Sequence, residues 1–195
     1  MSLNEDFEAL IGMVSTLNND VLRCLKELQA AEKSGTPEDQ YFWRRVVTRA
    51  VFSAIEGSCE LMRRQAFVAE LNKLKQNFVH PLKLTALSGK TCYVTDEGEI
   101  RIQDSRIPFL GNVLLSLKSY EEAQGVSYRT KKGDQWSRIQ NGVQVRHRIT
   151  HPKNLAGLAI SNEEMVDIEF AIKWFLDEVE NIFREKGVEI PPRVF

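Results

Sequence analysis

The sequence predicts an all-α protein, a helical bundle of about five helices that carries one small β-hairpin. Over most of the 195 residues, apolar side chains recur at steps of three and four, as they do on the buried stripe of an amphipathic helix. One stretch, at residues 90–103, changes to a pattern typical of two short strands. No β-α-β alternation is present. We therefore expect a single helical domain over residues 1–195, with the hairpin at 90–103 as an insertion.

The helix boundaries follow from apolar periodicity and from start and stop signals. Thr36, with Asp39 three residues later and Pro37 at the first helical position, is typical of a helix start. The expected helices span about residues 4–33, 37 to at least 64 and toward 78, 108–120, 134–150 and 162–186.

The hairpin is predicted from two strand-like segments around an acidic turn. Thr91-Cys92-Tyr93-Val94-Thr95 and Glu99-Ile100-Arg101-Ile102 flank Asp96-Glu97-Gly98. Because a two-stranded hairpin is only marginally stable alone, we expect it to lean on the helices.

Composition restricts the class of protein. The chain is 43% hydrophobic and 27% charged, which is ordinary for a soluble globular protein. It has no apolar run long enough for a membrane span and no basic, apolar leader. Its three cysteines show no Cys-x-x-Cys spacing, and no glycine-rich phosphate loop is present. We therefore expect a cytoplasmic protein with no membrane segment, no cofactor and no bound metal.

Charge is unevenly distributed, although the net charge is only −1. Residues 126–153 contain seven arginines and lysines and one acid, whereas residues 163–189 contain nine acids and three bases. A positive field around the first segment would attract an anionic ligand, although two solvated helix faces of opposite sign would give the same pattern.

The segment Val145-Arg146-His147-Arg148-Ile149-Thr150-His151-Pro152 combines two kinds of chemistry. Arginine is a permanent cation whose forked donors suit a phosphate. Histidine can give or take a proton near neutral pH. These are the groups needed to cleave an RNA backbone without a metal. Because the residue before a proline leaves helical geometry, His151 is expected at the end of its helix.

This segment resembles the Arg-polar-x-x-x-His signature of the HEPN superfamily (higher eukaryotes and prokaryotes nucleotide-binding), many of whose members are metal-independent RNases. The order of the expected helices is similar too: a long helix pair first, then the motif near the end of a later helix, then a closing helix. The resemblance implies a homodimer with a composite active site that cleaves RNA to a 2′,3′-cyclic phosphate and a 5′-hydroxyl. It implies Arg146 and His151 as catalytic residues, His151 from each chain moving one proton.

The resemblance further suggests a toxin or defence effector, with RNA as substrate and a cognate antitoxin or regulatory protein as a further partner. Other basic residues are expected to bind the RNA: His147, Arg148, Lys153 and Arg138. Glu56 interrupts an apolar face of the second helix, and a buried carboxylate needs a partner. Either an arginine of the motif is this partner, or Glu56 simply lies at the edge of the core.

Three alternatives stay open at this point. Arg146 could pair with an acid of the closing helix while His151 caps a helix end, in a purely structural motif. His147 and His151 have the spacing of two metal ligands, but the only other histidine is His80. The same fold could also bind nucleotides, RNA or a protein partner without cutting. Convergence of two motifs across a dimer favours the enzyme, and an open groove with diverging histidines favours the binding module. Burial of Arg146 and His151 against partners in the chain favours the structural reading.

Overall fold

The computed structural model describes residues 3–74 and 81–187, with side chains for 8–73 and 81–187. Within these ranges the fold is all-α with a small antiparallel hairpin, as predicted. The helices are α1 (Leu3–Ser34), α2 (Pro37–Leu74), α3 (Pro81–Ser88), α4 (Phe109–Gln124), α5 (Trp136–Thr150) and α6 (Asn162–Glu185), and the strands are β1 (Lys90–Val94) and β2 (Ile100–Asp104). The expected extension of α2 toward Phe78, and His80, lie outside the described residues.

The sequence failed to predict α3 and a short 3₁₀ helix, Leu155–Leu158. Pro81 begins α3, and proline suits the first position of a helix. Eight residues are too few for a distinct apolar period, which explains why α3 was missed.

The chain divides into two compact units, Met1–Ser58 with Lys131–Phe195, and Cys59–Thr130. In the first unit, α5 packs along α6, whose buried side includes Ile168, Ile172 and Phe175. Ser161 and Glu164 form a capping box that fixes the start of α6. The side chain of Phe52 on α2 completes the core against α5, where it lies 3.4 Å from the position that a Cβ on Gly142 would occupy. These contacts determine the position of the C-terminal end of α5, which carries the segment that begins at Val145.

The second unit contains the hairpin, α3 and α4. Its strands pair in the register Cys92↔Ile102 and Val94↔Ile100, which confirms the predicted hairpin. Gly98 closes the turn at φ +80, a left-handed conformation that favours glycine. β1 contacts α3, yet nearly all hairpin side chains stay exposed. The hairpin therefore leans on its neighbours less than predicted.

Candidate functional site

The candidate site lies at the C-terminal end of α5, where Pro152 forces the chain out of the helix. His151 is the first residue beyond the helix, with φ −125 and ψ 64, and its backbone N–H donates to the carbonyl of His147 at 3.0 Å. This placement confirms the prediction drawn from the His-Pro sequence. The last turn nevertheless stays regular enough to keep residues 147 and 151 on one side of the helix.

The two imidazoles lie side by side. The ring centroids of His147 and His151 are 5.2 Å apart, with an angle of 59° between the planes. Both side chains are exposed, and no described residue forms a hydrogen bond or ion pair with either ring. They line a groove of about 690 Å³ together with Gln144 and Lys153. Two proton-transfer groups and a lysine ammonium thus face the same space.

Arg146 points in a different direction. Its guanidinium pairs with Glu56 on α2, with an Nη2–Oε1 distance of 2.6 Å, and its Cζ lies 5.9 Å from the ring centroid of Phe52. Since positions five apart on a helix are rotated by about 140°, Arg146 and His151 cannot share a face of α5. The groove therefore brings His151 together with His147 and not with Arg146.

The predicted pairing of Glu56 with a motif arginine is confirmed. Glu56 also lies at the edge of the core, which was the other possibility left open, because 43% of its side chain is exposed, and Arg146 is 31% exposed. The acid of the closing helix that pairs with a motif arginine is Glu164, and its partner is Arg148.

Arg148 is held by α6 and by the loop that leads to it. Its guanidinium donates to both carboxylate oxygens of Glu164, at 2.7 and 2.9 Å, and to the carbonyls of Gly157 and Ala159. The hydrogen bonds from Arg148 hold the pKa of Glu164 below its usual value, and Glu164 in turn raises the pKa of Arg148. Arg148 therefore holds in place the loop between α5 and α6. This loop carries Lys153 and forms one wall of the groove.

The ion pair between Arg148 and Glu164 gives a stability prediction. Glu164→Gln keeps an acceptor for the capping box but removes the ion pair with Arg148, and we expect it to lower the free energy of unfolding by about 1 kcal/mol at neutral pH. The folded-state pKa of Glu164 is lowered, so its stabilising effect is present above the ordinary pKa of a glutamate and is lost as pH falls through the lowered value.

Urea unfolding of the wild type and the variant across this pH range measures the effect. The difference between the two proteins should shrink steadily as the solution becomes more acidic. A difference that does not depend on pH would show that the ion pair is not its source.

Arg138 lies apart from the histidines. Its Nε donates to Asp167 at 2.8 Å and its guanidinium lies 4.9 Å from the Phe170 ring centroid. It lines a separate cavity of about 400 Å³, together with Glu169 and Lys173. Of the four residues expected to bind RNA, the groove thus collects His147, Arg148 and Lys153, and Arg138 lies elsewhere.

The sequence reasoning missed the neutral polar side chains of the groove, which are Asn141, Gln144 and Asn154. Gln144 lies three residues before His147 and seven before His151, so helical spacing alone places it on the histidine face. This spacing was a usable signal. Amides on this wall can both donate and accept hydrogen bonds, as a nucleotide sugar or base requires.

Among the described side chains, no group of three or more His, Cys, Asp or Glu residues is arranged to hold a metal ion. The helices in residues 3–74 and 81–187 include none that combines the length and apolar character of a membrane span. Comparison of the chain with protein-family models, with curated proteins and with solved structures gave no match. Any functional conclusion therefore depends on the groove itself.

Proposed function

We propose that this protein is a metal-independent endoribonuclease whose active site is the groove at the end of α5. The observation that carries the proposal is the pair of exposed imidazoles, His147 and His151, with ring centroids 5.2 Å apart and no partner among the described residues. Both side chains are exposed to solvent, so a ligand in the groove can reach either ring. These two rings are available to a ligand.

The reaction that suits this pair is transesterification at an RNA phosphate. One imidazole, in its neutral form, takes the proton from the 2′-hydroxyl as the 2′-oxygen forms a bond to phosphorus. The other, in its protonated form, gives a proton to the 5′-oxygen as the bond between phosphorus and that oxygen breaks. The products are a 2′,3′-cyclic phosphate and a 5′-hydroxyl. The histidine that was neutral ends protonated, and the one that was protonated ends neutral.

The charge around the groove supports an anionic substrate. The Lys153 side chain lines the groove and forms no ion pair with any described residue. Its ammonium can neutralise a phosphate, including the extra charge that develops in the transition state. Arg148 adds its field from the wall, although Glu164 offsets part of it.

The HEPN resemblance implies a different form of this site, a composite active site formed across a homodimer. There, His151 of each chain would move one proton. The groove of a single chain already offers two imidazoles, so we assign both proton transfers to His147 and His151 of one chain. A toxin or defence role and an antitoxin partner stay predictions.

A second function, RNA or nucleotide binding without cleavage, is favoured by the state of the two arginines. Arg146 is paired with Glu56 and Arg148 with Glu164, so both guanidinium groups are engaged with carboxylates in the chain. An enzyme that relied on either arginine to hold the scissile phosphate would have to break one of these pairs. Binding without cleavage needs a cation only for the charge of the bound phosphate, which Lys153 can meet, and not for the additional charge of a transition state.

Incubation of the wild type with a labelled mixed-sequence RNA, in excess chelator, tests the proposal. We expect cleavage that leaves 2′,3′-cyclic phosphate ends. A matched DNA strand should stay intact because it lacks the attacking 2′-hydroxyl. If the folded wild type retains the RNA without cutting it, the binding module replaces the enzyme. Cleavage of the DNA strand would contradict the proposed chemistry.

A further inference from the structure

The hairpin of the second unit exposes one continuous apolar face. Because strand residues alternate between faces, Cys92 and Val94 lie on the same side as their cross-strand partners Ile102 and Ile100. The exposed fractions are 66% for Val94, 74% for Ile100 and 73% for Ile102. Contiguous exposed apolar side chains of this kind mark an interaction surface more often than scattered single ones do.

The two ends of this face differ in charge. At the turn, Asp96 and Glu97 have no ion-pair partner among the described residues. At the base, a groove of about 540 Å³ is lined by residues that include Arg63, Arg64 and Lys90.

The cations at the base outnumber the acids that pair with them. The two guanidinium groups of Arg63 and Arg64 share the single carboxylate of Glu60, so one positive charge is left over, while Lys90 pairs with Asp104. The hairpin is therefore acidic at its tip, apolar along one face and cationic at its base.

We propose that this face binds a second copy of the chain, with the two hairpins packed face to face and antiparallel. In that arrangement a two-fold axis places the acidic turn of each copy at the cationic base of the other. The same rotation covers Ile102 of one copy with Ile100 of the other. An apolar strip with opposite charges at its two ends is complementary to itself only in this orientation.

The pairing also explains how a nearly unburied two-stranded hairpin persists. Such a hairpin is marginal alone, and a second copy would cover the apolar face that the chain's own helices leave exposed. This surface belongs to the second unit and the histidine groove to the first. The proposal does not depend on RNA cleavage.

The test is sedimentation equilibrium of the full chain over the micromolar range, under reducing conditions so that Cys92 forms no disulfide. We expect reversible dimers in the wild type, and a dissociation constant higher by about tenfold or more for Ile102→Asp, which would bury a charge in the interface. The matched control is Leu155→Asp, at an apolar residue that is 87% exposed in the other unit, and it should dimerise like the wild type. A monomeric wild type, or equal dimerisation of wild type and Ile102→Asp, would overturn the proposal.

Charge reversal tests the orientation. Asp96→Lys with Glu97→Lys should weaken the dimer because two cationic ends then meet, and adding Arg64→Glu in the same chain should restore part of the loss. Arg64 suits this exchange because 72% of its side chain is exposed. If reversing the turn leaves dimerisation unchanged, the antiparallel arrangement is wrong.

Discussion

Replacing His151 with alanine is expected to lower the rate of RNA cleavage by about a hundredfold or more, since a positioned acid or base contributes about 10²–10⁴-fold to such reactions. His147→Ala should have an effect of similar size, because each ring performs a different proton transfer in the same groove. The folded state should hardly change, since both side chains are exposed and bond to no described residue. The measurement is the initial rate of cleavage of one labelled RNA, compared with unfolding of each variant in urea.

The comparison of the two histidines separates the one-chain site from a composite two-chain site. In a composite site built from His151 of both chains, His147→Ala would lose little activity while His151→Ala would lose nearly all of it. The one-chain site predicts two large losses. Gln140→Ala is the control, because Gln140 is exposed on α5 and is not among the residues that line the groove.

Local features of the site could be predicted from the sequence because they depend on neighbouring residues. Pro152 determines the end of α5 and so the position of His151. The i, i+4 spacing of the histidines accounts for their proximity. A pairing of Glu56 with an arginine of the motif could be predicted too, because a carboxylate within an apolar helix face needs a cation and the motif carries several. Which arginine it is, Arg146, is seen only in the structure.

Other features depend on contacts between distant residues, which periodicity does not contain. Arg148 was expected to bind substrate. The loop after Pro152 brings Glu164 to it, and the ion pair between the two holds this loop in place. Arg138 was expected in the same surface, but Asp167 and Phe170 hold it beside another cavity. The partners in both cases lie on α6, and nothing in the sequence around either arginine indicates which acid it will meet. A helix as short as α3 escaped for a simpler reason, since it has too few turns to show a period.

Phe52→Ala is expected to cause the largest loss of stability, about 3–5 kcal/mol, as is typical of a buried phenylalanine replaced by alanine. Phe52 is 1% exposed, and its ring lies 3.4 Å from the position that a Cβ on Gly142 would occupy, so Gly142 offers no side chain to fill the space left behind. The same ring lies beneath the guanidinium of Arg146, so its loss also removes one of the contacts that hold α5 to α2. The measurement is urea unfolding. The midpoint should fall, while the slope of the free energy of unfolding against urea concentration should stay the same.

Phe42→Ala provides the matched control, because Phe42 lies on the same helix and is 51% exposed. Its loss should stay below about 1 kcal/mol, since little apolar surface is returned to water and no cavity forms. Phe52→Leu should fall between the two, because most of the volume is kept. If Phe52→Ala unfolds at the same urea concentration as Phe42→Ala, the contact between α2 and α5 does not stabilise the fold as described. The position of the histidine groove would then have to depend on the packing of α5 against α6 alone.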